Sequence, residues 1–425
     1  MRWNALLITY LGVFALSMLV RSVLRWLNIR HLRCFGAVVP ELFRDEIDKK
    51  TLTSMRDYTI SLTRLGSIEL IIEDIITLIL ILSGILPFIT GAGPLKEMHP
   101  ILSGILFFFI FSIGFEIIET PFTLYRTFVI ERRFGFSTIT LLLWFKDLVK
   151  SLMLSGILMG ILLAVILALI YSIPAFWWLL AWGAFVAFQL ILTWIYPVVI
   201  APMFNKFDPI EDEGLKNRIH SLMDRAGFRF GGLYKMDASA RSRHTNAYFT
   251  GIGKTKRIVL FDTLISTHTA EEIIAVLAHE LGHLKKGHVK KQLLGSILLS
   301  FIGFYLTSVF LAWPLLYKTF GFTEILPYAG LFLLALIAKP FGFFLMPIGA
   351  MISRRFERQA DAYAYNLTGT IKPLIHALKR LARDNLANLH PHPIYAWFYY
   401  SHPPLVQRVE TLEKASKNPS QQLVS

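Results

Sequence analysis

The sequence has 425 residues, 54% of them hydrophobic, a mean hydropathy of +0.54 and a formal net charge of +14. That apolar fraction excludes an ordinary soluble protein and points to a polytopic membrane protein with part of its chain in water. The basic excess accompanies no helix-turn-helix, RNA-binding or finger pattern, which argues against a nucleic-acid partner; the single cysteine, Cys34, excludes an intramolecular disulfide and a cysteine-ligated zinc site.

A spanning helix needs about 20 largely apolar residues. Seven segments qualify: roughly 4–24, 67–90, 101–120, 151–173, 176–200, 292–317 and 329–352. The first lacks a small-x-small cleavage site before Arg21 and is long for a signal peptide, so it reads as a retained span. The second carries Glu69, Glu73 and Asp74, and the third Glu116 and Glu119. Acids at membrane depth are costly against lipid, so these read as lining a cavity or facing partners. Ion transport and placement at the membrane surface are the alternatives.

Basic and non-basic loops alternate along these spans. The loop at 25–65 holds Arg25, Arg30, Arg33, Arg44, Lys49, Lys50, Arg56 and Arg64, and the loop at 121–150 holds Arg126, Arg132, Arg133, Lys146 and Lys150. The turn after the second span holds only Lys96, and the one after the sixth only Lys318. The positive-inside rule then places the N-terminus outside and the C-terminus inside.

Between spans five and six the chain becomes mixed. EGLKNRIHSLMDRAGF has a helical pattern, and GGLYKMDAS, TNAYFTGIG and KRIVLFDTLI read as strands. A helix of about 270–291 follows, with Thr269 and Glu272 spaced for a capping box. The tail 353–415 reads mostly helical, broken at HPHPIY and SHPPL, and residues 416–425 read as frayed. The expected organisation is 1–202 with spans one to five, 203–291 as an aqueous catalytic segment, 292–352 with spans six and seven, and 353–425 as a helical segment completing the site.

The helix at 270–291 contains AHELGH. His279 and His283 are four residues apart, so their imidazoles share one helix face and can hold one ion. Glu280 beside them can act as general base on a water at the metal. A third protein ligand is needed. His288 lies nine residues past His279, about 900° along an unbroken helix, and is expected to face away; HELGHLKKGH also misses the HExxHxxGxxH spacing. SRRFERQADAYA at 353–364 offers Glu357 and Asp361 at i, i+4. One carboxylate can complete a two-histidine, one-carboxylate site and the other can orient a ligand imidazole. The alternative is an acidic helix face paired with Arg354, Arg355 and Arg358.

HELGH followed by FERQADAYA resembles the integral-membrane gluzincin proteases. FVIERRFGFS (128–137), WIYPVVIAPMFNKFDPI (194–210), ARSRHTNAYFTGIG (240–253), LARDNLANLHPHPIY (381–395) and YSHPPLVQRV (400–409) extend the resemblance to the type I CAAX prenyl endopeptidase family, from about residue 50 to 415. The resemblance implies a mostly α polytopic fold of about seven membrane helices enclosing a water-filled chamber, with a small α+β gluzincin-like catalytic domain on the inner side. It implies one zinc held by His279, His283 and Glu357, with Glu280 as base. It implies an edge strand at Asn246 and Ala247 that holds the substrate backbone by β-augmentation. His402 matches a histidine facing the oxyanion, and Arg408 a base that holds Glu357 or Asp361. The expected partners are the lipid bilayer and a peptide or protein substrate that is prenylated or membrane-associated, cut on the cytoplasmic side. The bacterial inner membrane is the favoured setting and the endoplasmic reticulum the alternative. The rival readings are a heat-shock-type membrane metalloprotease, an ion-coupled transporter and a non-catalytic zinc scaffold.

Overall fold

The structure, a computed structural model, describes residues 3–91, 94–251 and 256–417. Residues 252 and 253 of the TNAYFTGIG strand and most of the tail expected to fray lie outside them. The first helix, α1 (Ala5–Phe35), starts where the Asn4 side chain accepts from the Leu7 amide at 3.1 Å. Then come α2 (Lys49–Leu82), α3 (Ile85–Gly91), α4 (Pro100–Arg133), α5 (Leu141–Ser172) and α6 (Trp177–Phe204). Six helices among the described residues are long and apolar enough to cross a membrane, and α2 with α3 makes a seventh span bent by 55°. The second span, expected as one run at 67–90, is therefore broken, and Gly84 at φ +78° takes the left-handed turn between its halves. The helices also extend beyond the apolar windows, because polar residues continue a helix into water once a span has nucleated it.

The aqueous segment holds β1 (Phe207–Pro209), α7 (Glu213–Arg225), β2 (Gly232–Met236), β3 (Ala247–Thr250) and β4 (Arg257–Phe261). The sheet order is β1-β2-β4-β3; β2 and β4 are parallel and the other pairs antiparallel. The strand β1 was not expected, since three residues ending in proline give no alternation to read. β3 pairs only with β4, in the register Ala247–Leu260 to Thr250–Arg257, and so forms one edge of the sheet.

The expected helix at 270–291 is two helices, α8 (Ala270–Lys285) and α9 (His288–Leu311). The capping box forms: the Glu272 amide donates to Thr269 Oγ1 at 3.3 Å, and the Thr269 amide to Glu272 Oε2 at 2.8 Å. Gly287, at φ +67°, breaks the run. The helix α10 (Pro327–Thr368) has 42 residues and carries the seventh span unbroken into the aqueous region, a rise of about 63 Å. α11 (Lys372–Asp384), α12 (Pro393–Tyr399) and α13 (Leu405–Lys417) complete the tail.

Apolar burial is concentrated at two ends. One core gathers Leu7, Tyr10, Phe107, Leu167 and Phe332 from the membrane helices. The other gathers Ile219, Ile258, Leu277, Leu281 and Leu412 under the sheet and around α8. Between them the spans bury little; in the most apolar window of α9 no residue is buried.

Candidate metal centre

The site forms where α8 packs along α10. Gly282 permits the approach: a Cβ there would stand 2.7 Å from the Ala360 Cα and 2.9 Å from the Ala360 carbonyl oxygen. The two helices thus meet nearly backbone to backbone, and the side chains flanking the contact converge.

His279 Nε2 lies 3.2 Å from His283 Nε2 and 3.4 Å from Glu357 Oε2; His283 Nε2 lies 3.3 Å from Glu357 Oε1. His279 and Glu357 are buried, and Glu357 Oε2 has no hydrogen-bond partner. Ligands about 2.0–2.1 Å from a tetrahedral zinc stand about 3.3 Å from one another. Three lone-pair donors held at that spacing, with an orphaned buried carboxylate oxygen among them, fit such an ion.

The other imidazole nitrogens are held too, which fixes the tautomers. His279 Nδ1 donates to Asp361 Oδ1 at 2.7 Å, leaving Nε2 toward the cluster. Arg408 clamps that carboxylate with two bonds, Nε to Oδ2 at 2.8 Å and Nη2 to Oδ1 at 2.6 Å, and its Nη1 lies 3.5 Å from Glu357 Oε2. The structure therefore brings Arg408 to both acids on α10, and the paired-surface alternative for Glu357 and Asp361 fails because both are buried. Burial and Arg408 push the His279 pKa down, but the carboxylates of Asp361 and Glu357 outweigh them and raise it to about 9.

His288 corrects the sequence reading. It stays outside the three-ligand group, as expected. It does not face away, however, because the turn at Gly287 redirects the chain. Its Nδ1 lies 3.0 Å from His283 Nδ1 and its Nε2 2.9 Å from Gln359 Oε1, and its ring stacks on Phe356 at 4.2 Å. Gln359, which the sequence reading missed, thus steadies His283 through His288.

Glu280 is half-buried beside the two histidines, and burial pushes its carboxyl pKa up. His402 Nε2 lies 3.3 Å from Glu357 Oε1, and its Nδ1 lies 2.9 Å from Ser401 Oγ. Asn246 and Ala247 sit where β3 begins: Asn246 Oδ1 accepts from the Ala247 amide at 2.8 Å, and the Asn246 carbonyl accepts from the Phe261 amide at 3.1 Å. β3 packs against α8, so its edge lies beside the metal helix.

Three of the five acids in the spans have cationic partners on other helices. Glu69 pairs with Arg126 at 2.6 Å, Glu73 with Lys339, and Asp74 with Arg21 at 2.9 and 3.0 Å. Arg21 and Lys339 lie inside two of the apolar spans, where nothing local in the sequence marks them as partners of these acids. Glu116 is half-buried and Glu119 exposed.

Residues 28–206 match the family model described as CAAX prenyl protease N-terminal, five membrane helices, and residues 209–416 match peptidase family M48. The chain is 35% identical over 407 residues to CAAX prenyl protease 1 of Saccharomyces cerevisiae, covering 89% of each. It is 33% identical over 386 residues to the human CAAX prenyl protease 1 homolog, covering 79% of this chain and 80% of that one. The crystal structure of S. mikatae Ste24p superposes with a TM-score of 0.88 at 32% identity, over 95% of this chain and 99% of the other. The superposition supports a polytopic helical chamber, and none of the rival readings is favoured by these matches. The chain belongs to the CAAX prenyl protease family of membrane zinc metalloproteases, within peptidase family M48.

Proposed function

We propose that this chain holds one zinc ion through His279, His283 and Glu357 and hydrolyses a peptide bond near the C-terminus of prenylated, membrane-associated substrates. The observation that carries the reading is the group of two imidazole nitrogens and one carboxylate at tetrahedral spacing, with Glu280 beside them. When bound, zinc supplies Lewis-acid polarisation of the scissile carbonyl and acidifies water at the site. Glu280 takes the proton from the attacking water and passes it to the leaving amine; its raised pKa moves it toward the operating pH, where one group serves both steps. His402 donates to the oxygen where negative charge develops. Asp361 holds His279 in the tautomer that presents Nε2, and Arg408 holds Asp361. The open edge of β3, starting at Asn246 and Ala247, pairs with the backbone of an extended substrate.

The alternation of basic loops supports a site on the cytoplasmic face. The curated relatives above come from nucleated cells, which supports an endoplasmic-reticulum-type membrane over the bacterial inner membrane.

The test is purification in detergent, metal analysis, and cleavage assays with wild type and Glu280→Gln. One zinc per chain in both proteins, with activity in wild type alone and a drop of at least about a thousandfold in the variant, is expected. Activity that survives Glu280→Gln or excess chelator refutes the mechanism. Equal cleavage of farnesylated and plain peptides with the same termini refutes the prenyl preference.

A further inference from the structure

Three sequence segments that the metal centre leaves unexplained meet at one histidine. FVIERRFGFS supplies Glu131 and Phe136, ARSRHTNAYF supplies His244, and LARDNLANLH supplies Asn385. The Thr245 amide donates to Asn385 Oδ1 at 3.1 Å, and Asn385 Nδ2 donates to Thr245 Oγ1 at 3.2 Å, which identifies the amide oxygen. The same oxygen lies 2.9 Å from His244 Nδ1, so Nδ1 carries a hydrogen. The opposite nitrogen, Nε2, lies at ion-pair distance, 3.4 Å, from Glu131 Oε2, a buried oxygen without a hydrogen-bond partner. In a neutral imidazole Nε2 would aim its lone pair at a carboxylate. Only the imidazolium presents an N–H to Asn385 and an N–H with positive charge to Glu131.

The surroundings suit a cation. Phe136 stacks on the ring at 4.0 Å, and Tyr58 donates to the other Glu131 oxygen at 2.6 Å, orienting the carboxylate. Charged groups on the adjoining elements are engaged elsewhere: Arg126 with Glu69, Asp384 with Arg383, Asp262 with Ser239 and Asp147 with Arg241. Arg243 is exposed. The Thr263 hydroxyl donates to the His244 carbonyl at 2.9 Å, and three residues later β3 begins.

We propose that His244, as an imidazolium, is a positioning residue that clasps α4 at Glu131 to the end of α11 at Asn385 and so sets the open edge of β3 for the substrate. This rests on the peptidase reading above. Burial pushes the His244 pKa down, but Glu131 and Asn385 outweigh it and raise it. The clasp is therefore held below the ordinary imidazole value of 6.5 and opens as pH rises through the raised one.

Two measurements on the full chain in detergent test this. The first needs no substrate: amide exchange of the peptide covering residues 244–250 at about pH 6, below the ordinary imidazole value. It is expected to quicken roughly tenfold in His244→Gln, the loss of one charge-assisted bond, while exchange elsewhere is unchanged. It is expected to stay near wild type in Glu131→Gln, whose amide can donate to a neutral imidazole. The second is KM and kcat for a farnesylated, internally quenched peptide with a Cys-aliphatic-aliphatic-X terminus, between about pH 6.5 and 9.5. Wild-type KM rises with pH by roughly tenfold while kcat does not follow it, and in Glu131→Gln the rise disappears. Unchanged exchange in His244→Gln, or a KM rise that persists in Glu131→Gln, overturns the proposal. A wild-type protein that cleaves no peptide overturns the peptidase reading instead, and the exchange data still decide the clasp.

Discussion

His279 must present a bare Nε2 to a metal, yet its setting favours a proton. The carboxylates of Asp361 and Glu357 raise its pKa to about 9 in the metal-free site. A folded-state value above the ordinary 6.5 stabilises the metal-free protein fully below about pH 6.5, and that contribution is lost as pH rises through about 9. Metal loading expels the same proton, so the zinc Kd should fall about tenfold per pH unit from neutrality to about pH 9 and level off above. Competition against a chromophoric chelator of known proton affinity measures this; a Kd independent of pH over that range contradicts it. In Asp361→Asn the slope should end at lower pH. The two ligand histidines were legible because the i, i+4 spacing alone fixes a shared helix face. His288 turns back toward His283 because the chain breaks at Gly287, and an angle of 900° holds only along an unbroken helix. The available signal was Gly287 directly after a lysine-rich last turn, a common helix stop.

At the scale of elements, the site depends on how closely α8 and α10 cross. Gly282 faces Ala360 at a separation that leaves no room for a side chain against backbone atoms. Gly282→Val must push the helices apart, and His279 and His283 then no longer share one ion with Glu357. Zinc affinity should drop by at least about 10- to 100-fold, the range seen when groups supporting a metal site are lost, with helix content retained. Circular dichroism and zinc titration on the same sample check both halves; wild-type affinity in the variant would show that the crossing is not what assembles the site. The spans were legible because about 20 apolar residues have few other uses. The internal breaks were not: the bend between α2 and α3 and the stop before α9 are set by single glycines inside otherwise continuous patterns. Conversely, Pro340 and Pro347 lie inside α10 without ending it, which a breaker rule would not anticipate.

Over the whole molecule, apolar packing closes the two ends while the walls between them bury little, so the polar pairs fasten helices where packing is sparse. The acids of α2 reach three different helices: Asp74 to α1 at a separation of 53 residues, Glu69 to α4 at 57 and Glu73 to α10 at 266. Composition locates these acids and points to a cavity, to partners, to ion transport or to the membrane surface, but partners so distant in the chain carry no local pattern that would identify them. Asp74 and Arg21 are the most buried of the three pairs, at 8% and 13% side-chain exposure, and Arg21 Nη2 reaches both Asp74 oxygens. Removing one member strands the other, whereas replacing both with apolar groups does not. Asp74→Leu should therefore cost about 3–5 kcal/mol, read as a lower Tm in detergent. The double variant Arg21→Met with Asp74→Leu should recover most of that loss. Zinc binding should be retained in both variants, since the pair lies apart from the metal ligands. A double variant no more stable than the single one would mean that the guanidinium is not stranded by loss of Asp74, and that α1 and α2 are held by their apolar contacts instead.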